Sequence, residues 1–363
     1  MTLHFAPLSS APTSPTLRDH WHAARAADPM VRPFDLARQL GVSELELVAS
    51  RAGVDRTDTF RLRFEPDLLL PALGSLGEVM ALTRNPSAVL EKHGQWRPFS
   101  AHGGVGLVLD EGLDLRLFLT TWKQAWVVLA ETPRGLRRSL QFFDAHGMAV
   151  HKVFVKETAD PAQQAAFDVL IATFMDADQS PQVDVTPTST KADAPDDTID
   201  IQGFQESWLT LADTHDFFPM LRRFGVGRTQ ALRLAPAGHA HLVAASACRT
   251  MLEHASTTGL PIMIFVGNRG CIEIHTGPIR KVKVMGPWLN ILDPETNLHL
   301  REDHIASAWI VTKPTVDGPV TSLELFDSAG ETIALLFGKR KPGLPEDPAW
   351  RAFATGLITS AHA

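Results

Sequence analysis

The strongest constraint in this chain is that it repeats itself. VMALTRNPSAVLEKHG (79–94) recurs as IMIFVGNRGCIEIHTG (262–277), 183 residues further on. The same spacing relates DLRLFLTTWKQAWVV (114–128) to NLHLREDHIASAWIV (297–311), and SLQFFDAHGMAVHKVF (139–154) to SLELFDSAGETIALLF (322–337). From Met80 to Phe154 the match is gapless, with 20 identities in 75 positions, among them Asn85/Asn268, Asp110/Asp293, Trp126/Trp309 and Gly147/Gly330. Chance similarity does not hold one register that long. The chain is two copies of one domain, and whatever the first copy builds the second must build too.

Each copy reads in the same order. A helical opening comes first: PFDLARQLGVSELELVASRAG (33–53) spaces Leu36, Leu40, Leu45 and Leu47 for one face, with Ser43 and Glu46 at capping-box distance. β-rich runs such as IMIFVG, AWIVTK and TSLELFD follow, closed by Gly or Asp-x-x-Gly turns. DPAQQAAFDVLIATFM (160–175) and EDPAWRAFATGLI (346–358) supply a last helix in each copy. An antiparallel meander with helices packed against it, an α+β class, fits better than βαβ alternation. The expected organisation is a loose tail over 1–16, a first repeat over 17–175, a linker over 176–200 and a second repeat over 201–363. The linker, DADQSPQVDVTPTSTKADAPDDTID, has too little apolar surface to offset the entropy of ordering it.

Composition removes whole classes of function. A net charge of −7 lacks the clustered basic face of a nucleic-acid binder. No run nears the roughly 18 apolar residues of a membrane span, and residues 1–16 lack the basic start and apolar core of a signal peptide. The cytoplasm is therefore the expected compartment. Cys248 and Cys271 are the only cysteines, with no C-x-x-C, which excludes disulfide scaffolds, cysteine zinc sites and covalent cofactor attachment through paired cysteines. Tyrosine is absent, so no step can use a phenol. No Gly-rich phosphate fingerprint follows any strand.

A duplicated fold carries an internal control, because core positions should match while a site peculiar to one copy should not. In LADTHDFFPMLRRF (211–224), His215 stands between Asp213, Asp216 and two phenylalanines; aligning FGV (224–226) on LGV (40–42) sets Val31 opposite it. Arg116 faces His299, Lys313 faces Ala130, and Arg340 lies beyond the matched block. Such asymmetry suggests one ligand seated between unlike surfaces. Each residue also has a plainer reading: His215 as a hydrogen-bonded structural residue, Asp213 as an N-cap, the arginines as rim salt bridges. Pro219 can end one helix or begin another. His20/His22 and His239/His241 have H-x-H spacing without an acid or cysteine partner at metal-like distance.

The strings DLRLF, QFFD..G.AVHKV (141–153), DTHDFF (213–218), FVGNRGC (265–271), PWLNILDP (287–294), KPTVDGPVTSLELFD (313–327) and FGKRKPG (337–343) occur in one order. On them the chain resembles the hemin-degrading factor family, the HemS/HmuS-type group of cytoplasmic haem-utilisation proteins of Gram-negative bacteria. The similarity runs from about Leu17 to Ile358, and members of that family are tandem duplications of an α+β unit. The resemblance implies one non-covalent haem b in a cleft between the halves, with His215 as iron ligand and Arg116 over the opposite haem face as the one candidate catalytic group. It implies Arg228, Lys313 and Arg340 as pocket residues that include the basic groups near the propionates, and Phe118, Phe265 and Phe337 as apolar walls. Some members carry tyrosine where Phe337 stands, and some carry histidine where Leu90 stands, which puts a second haem site in the first copy in doubt. As partners the resemblance implies an inner-membrane haem transporter as donor, and a haem oxygenase or apo-haemoprotein as acceptor. Carriage of haem and oxygen-dependent opening of its ring both remain open at this point.

Overall fold

The structure is a computed structural model and describes residues 16–53, 58–133, 135–156, 160–188, 192–341 and 343–360. Most of the expected tail therefore lies outside the described residues. The first copy opens on α1 (Leu17–Ala27), α2 (Pro33–Leu40) and α3 (Glu44–Ala49), then β1 (Thr59–Leu62) and α4 (Pro66–Ala72). Eight strands follow: β2 (Glu78–Arg84), β3 (Ala88–Gln95), β4 (Phe99–His102), β5 (Val105–Leu109), β6 (Asp114–Phe118), β7 (Trp122–Thr132), β8 (Gly135–Asp144) and β9 (Ala149–Val155). Helix α5 (Pro161–Phe174) closes it.

The second copy repeats the order with α6 (Ile201–Leu209), α7 (Phe217–Phe224), α8 (Arg228–Arg233), β10 (Ala240–Val243) and α9 (Ala247–Thr258). Its strands are β11 (Ile262–Gly267), β12 (Cys271–Gly277), β13 (Val282–Met285), β14 (Trp288–Asp293), β15 (Thr296–Arg301), β16 (Ser307–Lys313), β17 (Val320–Phe326) and β18 (Thr332–Gly338), before α10 (Pro348–Ser360).

Local chemistry sets these boundaries. The capping box at the start of α3 forms as read: Ser43 Oγ accepts from the Glu46 N–H, and the Glu46 carboxylate accepts from the Ser43 N–H. Helices α2 and α7 both run eight residues and stop at a glycine with left-handed backbone, Gly41 (φ 70°) and Gly225 (φ 66°), a conformation strained for residues that carry a Cβ. Pro219 sits in the first turn of α7, where its missing N–H costs nothing. Helices α4 and α9 were not legible in the sequence.

Each copy supplies six strands of a large antiparallel sheet, and the remaining three cross over. One nine-stranded sheet runs β1-β7-β8-β9-β2-β3 and continues with β15-β14-β13 of the second copy. The other runs β10-β16-β17-β18-β11-β12 and continues with β6-β5-β4 of the first. The seams are β3 with β15 and β12 with β6. Reciprocal asparagines clamp the crossing. Asn85 Nδ2 donates to the Gly267 and Ile333 carbonyls, and Asn268 Nδ2 donates to those of Arg84 and Val150. Gly270 has to be glycine here, since a Cβ would lie 2.6 Å from Val150 Cγ1. The two repeats are therefore contiguous in sequence but not separable in space.

The outer face of each sheet is covered by its own helices. Met251 and Leu252 of α9 with Trp350 and Ala354 of α10 fill one core, and Leu69 and Leu70 of α4 with Phe167 and Leu170 of α5 fill the other. The 176–200 stretch is better held than its composition suggests. Val183 and Val185 pack against the Leu45–Trp126 cluster, Gln179 pairs with both backbone groups of Arg61, and Gln230 donates to the Ala194 carbonyl. Backbone partners on both copies replace the apolar burial that the stretch lacks.

Candidate functional site

Strand alternation puts the expected wall residues on one face. In the sheet that carries β6, Arg116 registers with Ile272, Ile274 with Phe265, Phe265 with Leu335, Leu335 with Glu324, and Glu324 with Trp309. Paired residues share a face, and residues two apart return to it. Arg116, Phe118, Phe265, Phe337, Glu324 and Lys313 therefore line one surface, while Leu115, Leu117, Ile264 and Leu336 face the core. Arg116 and Phe118 belong to the first copy and reach this surface only because β6 crosses to pair with β12. Phe265 and Phe337, on neighbouring strands, meet edge to face with ring centroids 5.1 Å apart. Such a contact adds about 0.5–1.5 kcal/mol beyond burial.

His215 sits on a single 3-10 turn, Thr214–Asp216, at the entrance to α7. Asp213 caps that turn, as its plainer reading held, and does a second thing. Its Oδ1 accepts the His215 backbone N–H at 2.8 Å and lies 2.6 Å from the ring Nδ1. The backbone N–H of His215, first among several contacts, holds the Asp213 carboxyl below the usual carboxylate range, so it is an anion that fixes the Nδ1 proton. That leaves Nε2 as the ring's lone pair, on a side chain 91% exposed. Helix α7 then turns Phe217 inward against Trp208 and leaves Phe218 half exposed.

The basic residues form a buried charge cluster that the sequence reading did not find. Glu324 takes both Arg228 Nε (3.2 Å) and Nη2 (2.7 Å) on Oε2, while Lys313 Nζ (2.7 Å) and Ser322 Oγ (2.9 Å) donate to Oε1. Burial alone would push the Glu324 carboxyl up, but Arg228 and Lys313 together outweigh it and hold it low. Burial pulls Lys313 down against the opposing pull of Glu324. Both cations also lie over the Phe217 ring, at 4.7 Å for Arg228 and 4.6 Å for Lys313, which ties the His215 helix to the sheet. Arg340 lies 3.5 Å from Asp317 and close enough to Asp213 to contribute to its lowered pKa. The signal for Glu324 was Gln141 opposite it in the other copy, a charge change at a matched position.

The expected residues thus lie on one sheet face, on helix α8, on the turn that carries His215 or, for Arg340, on the segment that follows β18. Phe265 and Phe218 also line a cavity of about 570 Å³ shared with Phe34, Arg84 and Met148 of the first copy. Arg116 pairs with Asp114 two residues before it. Leu90, by contrast, is buried in the core that α9 and α10 cover. An exposed, tautomer-fixed imidazole, a wall of aromatic rings and a basic floor fit an iron macrocycle with two carboxylates. The three cations that would meet those carboxylates, Arg228, Lys313 and Arg340, are partly committed to Glu324 and Asp317.

Comparison with known proteins gives a consistent result. The model of the haemin-degrading HemS/ChuX domain matches twice, over residues 41–174 and 225–357. The chain is 41% identical over 344 residues to the hemin transport protein HmuS of Yersinia pestis, covering 94% of this chain and 97% of that protein. It is similar to holo-PhuS, a haem-binding protein of Pseudomonas aeruginosa, with a TM-score of 0.89 and 45% identity over 94% of this chain and 98% of the other. A structure of ChuS, described as a haem oxygenase of E. coli, matches with a TM-score of 0.83 and 37% identity over 94% and 99%.

Proposed function

The chain belongs to the haemin-degrading HemS/ChuX family, and from that premise we propose that it is a cytoplasmic carrier which holds one haem b, non-covalently, through His215. The carrying observation is the Asp213–His215 pair at 2.6 Å, a carboxylate that orients the imidazole as outer-shell carboxylates do for metal-bound histidines. Bound haem would supply an iron able to exchange axial ligands and a flat apolar ring with two propionates. Phe118, Phe265 and Phe337 exclude water from that ring. Lys313 has N–H bonds beyond the one given to Glu324, and Arg340 stands beside Asp317, so both can also donate to a carboxylate at about 1.5–3 kcal/mol per charge-assisted bond. Loading from an inner-membrane haem transporter and release to a haem oxygenase or apo-haemoprotein suit a site without covalent attachment. The test is an absorption titration with haem followed by addition of an excess apo-acceptor. Uptake of one equivalent and release of unchanged haem support carriage; no stoichiometric uptake refutes it.

A second reading, degradation, draws on Arg116, a guanidinium on the site face with its side chain about one-third exposed. Placed over the open side of the ring it would donate hydrogen bonds to whatever occupies that side. Haem-loaded protein given oxygen, a reductant and catalase should then lose its Soret band and yield an open tetrapyrrole, and Arg116→Ala should slow this roughly 10- to 100-fold while haem stays bound. Normal turnover by that variant would remove Arg116 from the role.

A further inference from the structure

The first copy keeps the same sheet face and lines it with different side chains. Between α1–α3 and the face of β2, β3, β8 and β9 lies a second cavity of about 560 Å³. Its register partners are the duplicates of the site above: Val31 for His215, Met80 and Leu82 for Met263 and Phe265, Phe154 for Phe337, and His299 for Arg116. Cations crowd it, with Arg25, Arg32, Arg51, Arg84, Arg137 and Lys152 against three glutamates. Of those glutamates, Glu44 is paired with Lys152, and burial pushes the Glu91 carboxyl up.

Arg51 is the informative member. It is 4% exposed, its guanidinium stacks 4.5 Å above Trp21, and among the described residues its one ion pair runs from Nη1 to Asp58 at 3.7 Å. Its Nε and Nη2, the edge that grips a carboxylate or phosphate in a bidentate fork, have no hydrogen-bond partner among the described residues. The same holds for Arg84 Nε and Gln141 Oε1 of the cavity-lining residues. In the second copy the same edge of Arg228 is filled by Glu324. A buried polar group left unmade costs about 1–3 kcal/mol, and more when charged, so such an edge calls for an acceptor. Met80, Leu82, Val89, Phe34 and Phe154 give the wall an apolar stretch.

We infer that the first copy carries its own binding site for an amphiphilic organic acid, whose carboxylate or phosphate head lies in the free fork of Arg51 and whose apolar body lies along β2 and β9. The site is independent of the haem reading, since the Arg51 fork and the apolar wall of β2 and β9 belong to the first copy alone. Calorimetric titration of the full chain with octanoate, octyl phosphate and the neutral octanol tests it. At least one of the two acids should bind at least tenfold more tightly than octanol, and whichever is tighter names the head group. Arg51→Met, which keeps the stem over Trp21, should weaken that acid at least tenfold, and Val31→Trp, which fills the cavity, should abolish binding. Equal binding of octanol and the acids, unchanged affinity in both variants, or one-for-one displacement of the acid by haem would each overturn the inference. Should Arg51→Met fail to fold, the Val31→Trp result alone decides.

Discussion

The two sheet faces of this protein share a scaffold and differ in what they carry. Buried positions agree across the repeat: Ala125 with Ala308, Leu115 with Leu298, Leu140 with Leu323. On the opposite face, beneath the opening helices of each copy, the buried charges are rearranged. Glu44 of α3 accepts from Lys152 in the first copy, whereas in the second Arg228 occupies the helix position and Glu324 the strand, with Leu335 where Lys152 stood. Packing constrains the core because a methylene too many or too few is felt at once. A face that lines a cavity has no such constraint, so duplication leaves it free to diverge, provided that each buried charge keeps a partner.

That comparison can be broken most sharply at its charges. Glu324→Gln removes the counter-charge of Arg228 and Lys313 together, and denaturant unfolding should show a loss of about 3–5 kcal/mol. Glu324 titrates low in the fold, so its stabilisation is present above the unfolded value of about 4.3 and is lost as pH falls below it. The Gln variant should lack that acid slope. A loss under 1 kcal/mol would mean the cluster is not held as described.

Next in size is the ligand itself. His215→Ala should weaken haem retention on the order of 100-fold, about 2.7 kcal/mol, and change the ferric spectrum. Val31→His in the first copy should not restore it, because no Asp213 equivalent orients that ring. An unchanged spectrum and affinity in His215→Ala would place the iron ligand elsewhere.

Leu90 and Glu273 occupy the same place in the two copies, and both are fully buried. Burial, first among its causes, pushes the Glu273 carboxyl up to about 8. Between about 4.3 and 8 the folded chain holds a proton that the unfolded chain has released, so stability falls as pH rises through that window. Glu273→Leu, copying the first half, should flatten this slope and gain about 1–3 kcal/mol at pH 8. A retained slope in thermal unfolding across pH 5–8 would assign it to another group.

The smallest expected effect lies on the wall. Phe337→Tyr adds a hydroxyl beside an edge-to-face pair without removing the ring, and should tighten haem binding only a few-fold, under 1 kcal/mol. A hundredfold change would mean that Phe337 contacts more than the apolar body.

Much of this was legible in the chain because it depends on periodicity and on repetition. The register of 183 residues gave the duplication, Ser43 and Glu46 the start of α3, and the mismatch of His215 with Val31 a difference between the copies. Helices α4 and α9 escaped because short apolar runs do not distinguish a buried helix from a strand. The crossing of β4–β6 and β13–β15 is a choice of hydrogen-bond partner between two equivalent sheet edges, and two copies of one fold carry no local mark of which edge is taken. Only the tertiary structure decided that Arg116 of the first copy serves the second, that Glu324 binds Arg228 and Lys313 together, and that the fork of Arg51 is left open. Pairing between distant residues is settled by geometry in space, and a linear pattern records which residues are available without recording which ones meet.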